Sequence, residues 1–545
     1  MRLPHLATAV AAVAATLGAV VTPAQAALAS AAPPAAVVAV AAPSVSRIAG
    51  ADRYATSAAA SLSAFPTGTR PDVVYLVSGV SPWESLSATP AAVARNGAVL
   101  LTRPDGIPAS IATELKRLTP AEIVVVGSTT TVSGTVLTQA KAYAPSVTRT
   151  AGTTRYQTAE ALVRQAFPTA AHDHVWVATG RSWADGLVAG AAAAALREPL
   201  LTVDGAGASL TSQTVALLRD LGATSVTIAG TTSAVSAGIQ AQLTQLLGAG
   251  NVARATGTDR YSVATRVNAM AFPALSAGSA YLADGRSFVH GLAGGFLAGT
   301  KMRPMYLTQP YCVPASVRPP LAGPATTRVV LLGGEGSLRS LVGAIEPCRS
   351  ITTASSTWVL ANKANPLRPR TYVPANLVVP KVTYPNGQRL RSDAATALVR
   401  MFAAARSEGA GRMAIASGYR SYSTQYSVYW HRVSTSGRTY ADRWIARPGY
   451  SEHQSGLGLD IAPVGNASCS AHNCIGSTPQ GAWLRRNAWR FGYVLRYESG
   501  YTSVTGYSSE PWHFRYVGVP LSSAYHRGSW HTFEQFLGEP AAPTY

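Results

Sequence analysis

Between residues 46 and about 348, short β-branched and aliphatic runs that end at glycine alternate with Ala-rich stretches of helical character. IVVVG (123–127), VTIAG (226–230) and VVLLGG (329–334) have the length and composition of buried strands, whereas AAAAALRE (191–198) reads as helix. Such alternation predicts parallel α/β units. The pattern is also tripled. Arg47-IAGADRYAT, Arg149-TAGTTRYQT and Arg254-ATGTDRYSV share R-x-x-G-x-x-R-Y, with Arg53, Arg155 and Arg260 spaced 102 and 105 residues apart. A second block, YLVSGVSPWESLSA (75–88), WVATGRSWADGLVA (176–189) and YLADGRSFVHGLAG (281–294), carries a strand into a Gly turn, and the VVxxGG-like block closes each unit. Three registers agreeing in order define repeat units over 46–148, 149–253 and 254–348.

These residues resemble the cell wall binding repeat 2 family of Gram-positive bacteria, whose three tandem copies hold surface proteins on the wall. Two positions depart from a uniform pattern. The Asp before the second Arg is Asp52 and Asp259 but Thr154 in the middle unit, and the central turn has Glu84, Asp185 and His290. A uniform acidic role at either place is therefore not expected. For the paired arginines two readings stand: contact with an anionic wall polymer, or an internal salt bridge or carbonyl clamp that fixes each unit.

After Cys348 the repeat motif does not return, and a Ser/Thr stretch followed by NKANPLRPR marks a new domain, 352–545. Three of its segments combine: SGYRSYSTQY (417–426), GYSEHQSGLGLDIAP (449–463) and EPWHFRY (510–516). A catalytic zinc site needs three protein ligands and an open position for water. His453 and Asp460 fit, because the SGLG turn returns the chain and the alternating strand LGLDIA presents Asp460 toward His453. His513 supplies the third ligand. Glu510 lies three residues earlier, where Pro511 implies an extended or turn segment, and is placed to act as the base.

The HxxxxxxD and ExxH pairs in this order, with SGYRS upstream, resemble the VanY-type D-alanyl-D-alanine carboxypeptidases, zinc peptidases of peptidoglycan. The likeness spans about residues 355–525 and includes NKANPL, PGYSEHQSGLGLD, the helical WLRRNAWRFGYVLRY (483–497) and GYSSEPWHFRYVG. It implies an α+β domain with a small antiparallel sheet flanked by helices, Zn2+ on His453, Asp460 and His513, and Glu510 as catalytic base. Arg420 would stabilise the oxyanion or the substrate's terminal carboxylate, while Ser451 and Gln425 are candidates for gripping that carboxylate. His431, His472, His526 and His531 fall outside the motifs.

Composition narrows what such a chain can do. With 545 residues, room exists for about three or four domains. Charged residues make up 13% and hydrophobic ones 47%, against roughly 25% charged in an average soluble chain, which excludes a long disordered polyampholyte. The net charge is +20, and 40 of the 45 basic residues are arginine, so polyanions are the expected partners. Compartment decides which ones. Arg2, the apolar run 7–21 and Ala24-Gln25-Ala26 predict a secretory signal peptide over 1–26, followed by an Ala/Pro linker over 27–45. A membrane anchor needs about 20 apolar residues, and Pro23 comes too early. No retained span or hydrophobic tail is expected. Export points to teichoic-type wall polymers rather than nucleic acid, with binding that weakens in salt.

Four cysteines in an exported chain suggest disulfides, and proximity favours Cys312 with Cys348 and Cys469 with Cys474. A zinc cluster of the latter pair with His472 is the alternative. The whole chain reads as an exported zinc carboxypeptidase that trims the terminal D-amino acid from peptidoglycan stem peptides, held on the wall by its repeats. Its rivals are an L,D-carboxypeptidase or endopeptidase on the same scaffold, and a non-enzymatic adhesin with a structural zinc.

Overall fold

The structure, a computed structural model, describes residues 41–168, 172–274, 276, 278–464 and 472–545. The expected signal peptide, Cys469 and the side chain of His472 lie outside the described residues. Ser44 and Val45, which composition assigns to the linker, instead open a strand, β1 (Ser44–Ile48). Eleven more follow in the repeat region: β2 (Val73–Ser78), β3 (Ala98–Thr102), β4 (Glu122–Val126), β5 (Ser146–Thr150), β6 (His174–Thr179), β7 (Leu200–Val203), β8 (Ser225–Ala229), β9 (Val252–Ala255), β10 (Gly278–Asp284), β11 (Met305–Thr308) and β12 (Thr326–Leu332). They form three parallel sheets in the orders β3-β2-β4-β5, β7-β6-β8-β9 and β11-β10-β12-β1. The sequence repeat and the sheet are offset by one strand. The first strand of each unit completes the sheet of the unit before it, and β1 completes the last, pairing Ser44–Ile48 with Arg328–Leu332.

The recurring motifs are explained by how they are tied together. Arg149, Arg254 and Arg47 donate to the carbonyls of Gly127, Gly230 and Gly333, which end the closing strands, at 2.5–2.9 Å. Arg53, Arg155 and Arg260 donate to Gly79, Gly180 and Gly285 of the central turns at 2.6–3.0 Å. All six paired arginines make the carbonyl clamp. Gly127, Gly230 and Gly333 all have φ near +100°, a left-handed conformation that a Cβ would strain. The substitution of Thr154 for aspartate also has a reason. Asp52, Thr154 and Asp259 each cap a following helix by accepting from a backbone N–H three residues on, a task that needs a side-chain oxygen and not a charge.

Three small-residue helices, Ser85–Ala94, Trp183–Leu196 and Val289–Thr300, meet at the centre of the repeats and are buried around nearly their whole circumference, as an all-apolar helix must be. They approach closely: a Cβ on Gly190 would sit 2.9 Å from the Leu86 carbonyl oxygen.

Repeat three packs on the C-terminal domain through a shared cluster that includes Tyr311, Leu341, Trp358, Leu360, Leu521 and Phe536. The Cys312–Cys348 disulfide forms as proximity suggests. Cys474 is also disulfide-bonded, which removes its thiolate from any metal. Beyond a ribbon of β13 (Leu377–Val378) and β14 (Leu390–Arg391), the C-terminal domain is built on an antiparallel sheet of β15 (Met413–Ser417), β16 (Gly458–Pro463), β17 (Tyr493–Tyr497) and β18 (Glu510–Tyr516), ordered β15-β16-β18-β17. Alternation splits its faces. Leu459, Ile461 and Phe514 join the core with Leu398 and Met401 of helix Ser392–Ser407, leaving Asp460, His513 and Arg515 on the other face.

One expectation fails locally. WLRRNAWRFGYVLRY is helical only to Phe491, the last turn being 3-10; Gly492 at φ +89° stops it, and Tyr493–Tyr497 is strand. The aromatic and β-branched content of YVLRY favours a pleated surface.

If the clamp is structural, Arg155→Ala lowers unfolding free energy by about 1–2 kcal/mol in urea denaturation followed by circular dichroism. Unchanged stability with weakened wall binding would instead make Arg155 a polymer contact.

Candidate active site

The three segments singled out in the sequence converge on the polar face of the sheet. Asp460 and His513 are direct cross-strand partners in the β16–β18 ladder. His453 sits on a short 3-10 turn, Glu452–Ser455, and Gly456 in the left-handed region at φ +70° reverses the chain into β16. One donor atom from each of His453, Asp460 and His513 lies within 4.8 Å of the others. His453 Nε2 is 3.3 Å from one Asp460 oxygen, and His513 Nδ1 is 3.1 Å from the other. Glu510 Oε2 stands 3.8 Å from His513 Nδ1. All four residues are buried, at the floor of a cleft of about 450 Å³.

Each imidazole is oriented from behind. His453 Nδ1 lies 2.8 Å from the Gly418 carbonyl, and His513 Nε2 lies 3.4 Å from Glu452. With its rear nitrogen engaged, each ring turns its other nitrogen to Asp460, the arrangement by which outer carboxylates and carbonyls prepare histidines for metal. Two nitrogens and a carboxylate at this spacing fit a divalent ion with an open coordination position.

Charge follows burial. Desolvation pushes Glu510 up to about 8, opposed by His513 and Arg420 and reinforced by Asp460. Burial alone would raise Asp460, yet the two imidazoles hold it well below the usual carboxylate range. His513 rises to about 9: desolvation lowers it, but hydrogen bonds to Asp460 and Glu452 outweigh that. Burial lowers His453.

Arg420, Ser451 and Gln425 also line the cleft. Arg420 donates to Gln425 Oε1 and Ser417 Oγ, both at 2.9 Å, and Gln425 donates in turn to the Ala446 carbonyl at 2.7 Å. Both ends of the Gln425 amide are thus engaged by protein. The guanidinium has Asp460 and Glu510 as its acidic neighbours. Tyr497 adds a ring 5.0 Å from that of His513.

A buried ionic network behind the site escaped the sequence reading. Glu452 accepts from Arg496 at 3.0 Å and Arg515 at 2.7 Å, and Arg496 forks onto Glu534 at 2.6 and 3.0 Å. All four side chains are withdrawn from solvent. Although burial would raise Glu452, Arg515 and Arg496 hold its carboxyl far below the ordinary range. A signal existed: Arg515 lies two residues after His513, hence on the same strand face, and Glu452 adjoins His453.

The comparisons agree with this architecture. Residues 387–519 match the family model VanY, described as D-alanyl-D-alanine carboxypeptidase; residues 47–137, 149–240 and 254–342 match cell wall binding domain 2. The fold and site define a carboxypeptidase-type domain behind a wall-binding region. The chain carries one VanY domain following three cell wall binding repeats. It is 35% identical over 182 residues to a D-alanyl-D-alanine carboxypeptidase of Enterococcus faecalis, covering 31% of this chain and 62% of that one. Over 265 residues it is 29% identical to the N-acetylmuramoyl-L-alanine amidase LytC of Bacillus subtilis, covering 49% of this chain and 50% of that one. It therefore spans less than two thirds of either relative. The solved structure of Cwp6 from Clostridium difficile shares the fold at 22% identity and a TM-score of 0.51, covering 56% of this chain and 48% of that one.

Glu452→Gln removes the charge that compensates two buried guanidinium groups. It should cost about 3–5 kcal/mol, read as a lower denaturation midpoint in urea with the far-ultraviolet spectrum of the folded state unchanged.

Proposed function

We propose that this protein is an exported, zinc-dependent D-alanyl-D-alanine carboxypeptidase that acts on peptidoglycan stem peptides while its three repeats hold it on anionic wall polymer. The observation that carries this reading is the convergence of His453, Asp460 and His513 with Glu510 beside them, in the cleft of a VanY-family domain. The enterococcal relative's name supports the D-Ala-D-Ala specificity. Export rests on the N-terminal sequence; among the described residues no helix is long and apolar enough to cross a membrane.

His453, Asp460 and His513 would hold the zinc, which supplies Lewis acidity for a water and for the scissile carbonyl. The chain's own groups do the rest. Glu510, its carboxyl pushed up by burial and facing the cleft, takes a proton from the attacking water and returns it to the leaving amine. Arg420, held flat by Gln425 and Ser417, offers the free part of its fork to the substrate's terminal carboxylate. Gln425 acts through Arg420, and the Ser451 hydroxyl supplies a further contact to the same carboxylate. Glu452 keeps His513 turned toward the reacting centre. The repeats raise the local concentration of stem peptides around this cleft.

Three outcomes test the proposal. Purified protein incubated with a stem pentapeptide releases the terminal D-alanine, identified by mass spectrometry, and a chelator stops the release. Release only from tetrapeptides, or of internal fragments, would move the enzyme to the L,D-carboxypeptidase or endopeptidase class. Glu510→Ala abolishes release while zinc content by elemental analysis stays that of the parent; an equally active variant refutes the assigned base. The full chain cosediments with purified walls, and raising salt from about 50 to 200 mM weakens this by an order of magnitude or more.

A further inference from the structure

The described residues expose four large aromatic rings, and all four lie on one pair of helices: Tyr426 and Trp430 on Tyr422–Ser436, Tyr440 and Trp444 on Arg438–Trp444. Their exposures, from 36% to 52%, exceed what a soluble surface leaves without use when rings cluster. Within each helix the two rings are i, i+4 neighbours, with centroids 6.1 and 6.4 Å apart. Arginines lie over them. Arg432 covers Tyr440 at 5.8 Å and Arg438 covers Trp430 at 5.6 Å. Among the described residues neither guanidinium has a carboxylate partner within 4.0 Å, in contrast to Arg447, which is paired with Asp442.

The helix Tyr422–Ser436 is a wall between two hollows. Its residues Gln425, Val428 and Arg432 face the catalytic cleft, to which Tyr440 and Trp444 also contribute. Its opposite side, with Tyr426 and Trp430, lines a second cavity of about 400 Å³ that also takes in Arg370 and Arg438. The aromatic and cationic surface is thus continuous with the rim of the active site and passes over it into a second concavity.

We propose that this helical pair is a saccharide-binding surface that holds the glycan strand from which the stem peptide projects into the cleft. The inference rests on the peptidase reading of the cleft and names the polymer that must run past it. A peptide still attached to its polymer brings sugar rings to the cleft rim. Pyranose rings present apolar C–H faces that lie against Tyr and Trp, with hydroxyl edges left for arginine and water. Carboxylates of neighbouring stem peptides on the same strand supply the anions that Arg432 and Arg438 lack. Aromatic and basic residues also suit an anionic bilayer, but these rings line concave surfaces, which receive a strand and not a plane.

The test uses the full-length protein and two substrates bearing the same pentapeptide: the free peptide, and uncross-linked glycan strands several disaccharides long, stripped of other wall polymers. Tyr426→Ala/Trp430→Ala, both outside the catalytic cleft, should raise KM for the strands roughly tenfold and leave kcat/KM for the free peptide unchanged. Tyr426→Phe/Trp430→Phe, which keeps the rings, should retain the parent's strand KM. An equal effect on both substrates, or none on the strands, overturns the inference. So does a loss confined to cosedimentation with phosphatidylglycerol vesicles. Failure of the underlying reading looks different: the parent releases nothing from either substrate. In that event, strand binding by the Glu510→Ala protein, with and without the two ring substitutions, still decides whether the helical pair holds glycan.

Discussion

Glu452 is a carboxylate with no access to water, and the arrangement of the site depends on its staying charged. It neutralises Arg515 and Arg496 and sits behind His513, so one side chain fixes an imidazole in front of it and discharges two strands behind it. The interior offers it no hydration, and its low pKa is the result of cationic neighbours overcoming that loss. Buried ion pairs rarely add stability over a well-packed apolar core, but breaking one leaves an orphaned charge. The network is therefore best understood as a device that makes a single geometry tolerable. Removing any member would leave another without an answer.

The repeat region solves a different problem with the same residue type. Three sheets meet through the apolar helices Ser85–Ala94, Trp183–Leu196 and Val289–Thr300, and the chain pins its strand ends with arginines that bind glycine carbonyls: Arg149 within one sheet, Arg155 and Arg260 from the helix that leaves one sheet to the central turn of the next. Five of the six clamps link positions 22 to 26 residues apart, and the sixth, Arg47 to Gly333, spans 286. A motif read along the chain as R-x-x-G-x-x-R-Y is in space two bolts driven into two different turns. This accounts for why the blocks recur in fixed order, and for why a capping threonine can stand where its neighbours have aspartate.

What could be read beforehand follows from how local the physics is. His453, Asp460, Glu510 and His513 were legible because a tight turn and alternating strands convert short spacings into directions in space, and the structure brings the four together. The tripled α/β pattern was legible because each unit repeats its own punctuation. Glu452, Arg496, Arg515 and Glu534 were not: their pairing spans sequence separations of 38 to 63 residues, and the local signal, Arg515 on the strand face of His513 and Glu452 beside His453, does not name the partners. The strand at YVLRY was missed for a related reason: the run before it is helical, and a glycine in the left-handed region changes the backbone within one residue. The swapped position of β1 was invisible too, because a five-residue strand carries no mark of which edge it will join.

That swap has a consequence for how the molecule comes into being. Synthesis delivers the amino end first, yet the edge that receives Ser44–Ile48 belongs to residues 326–332. β1 must therefore wait, unpaired, until nearly three hundred further residues have emerged, and among the described strands its pairing is the most non-local, the kind that slows folding. Completion of the repeat region is thereby tied to the arrival of its far end: the sheets β3-β2-β4-β5 and β7-β6-β8-β9 close without β1, whereas the third keeps an open edge until β12 has emerged to receive it.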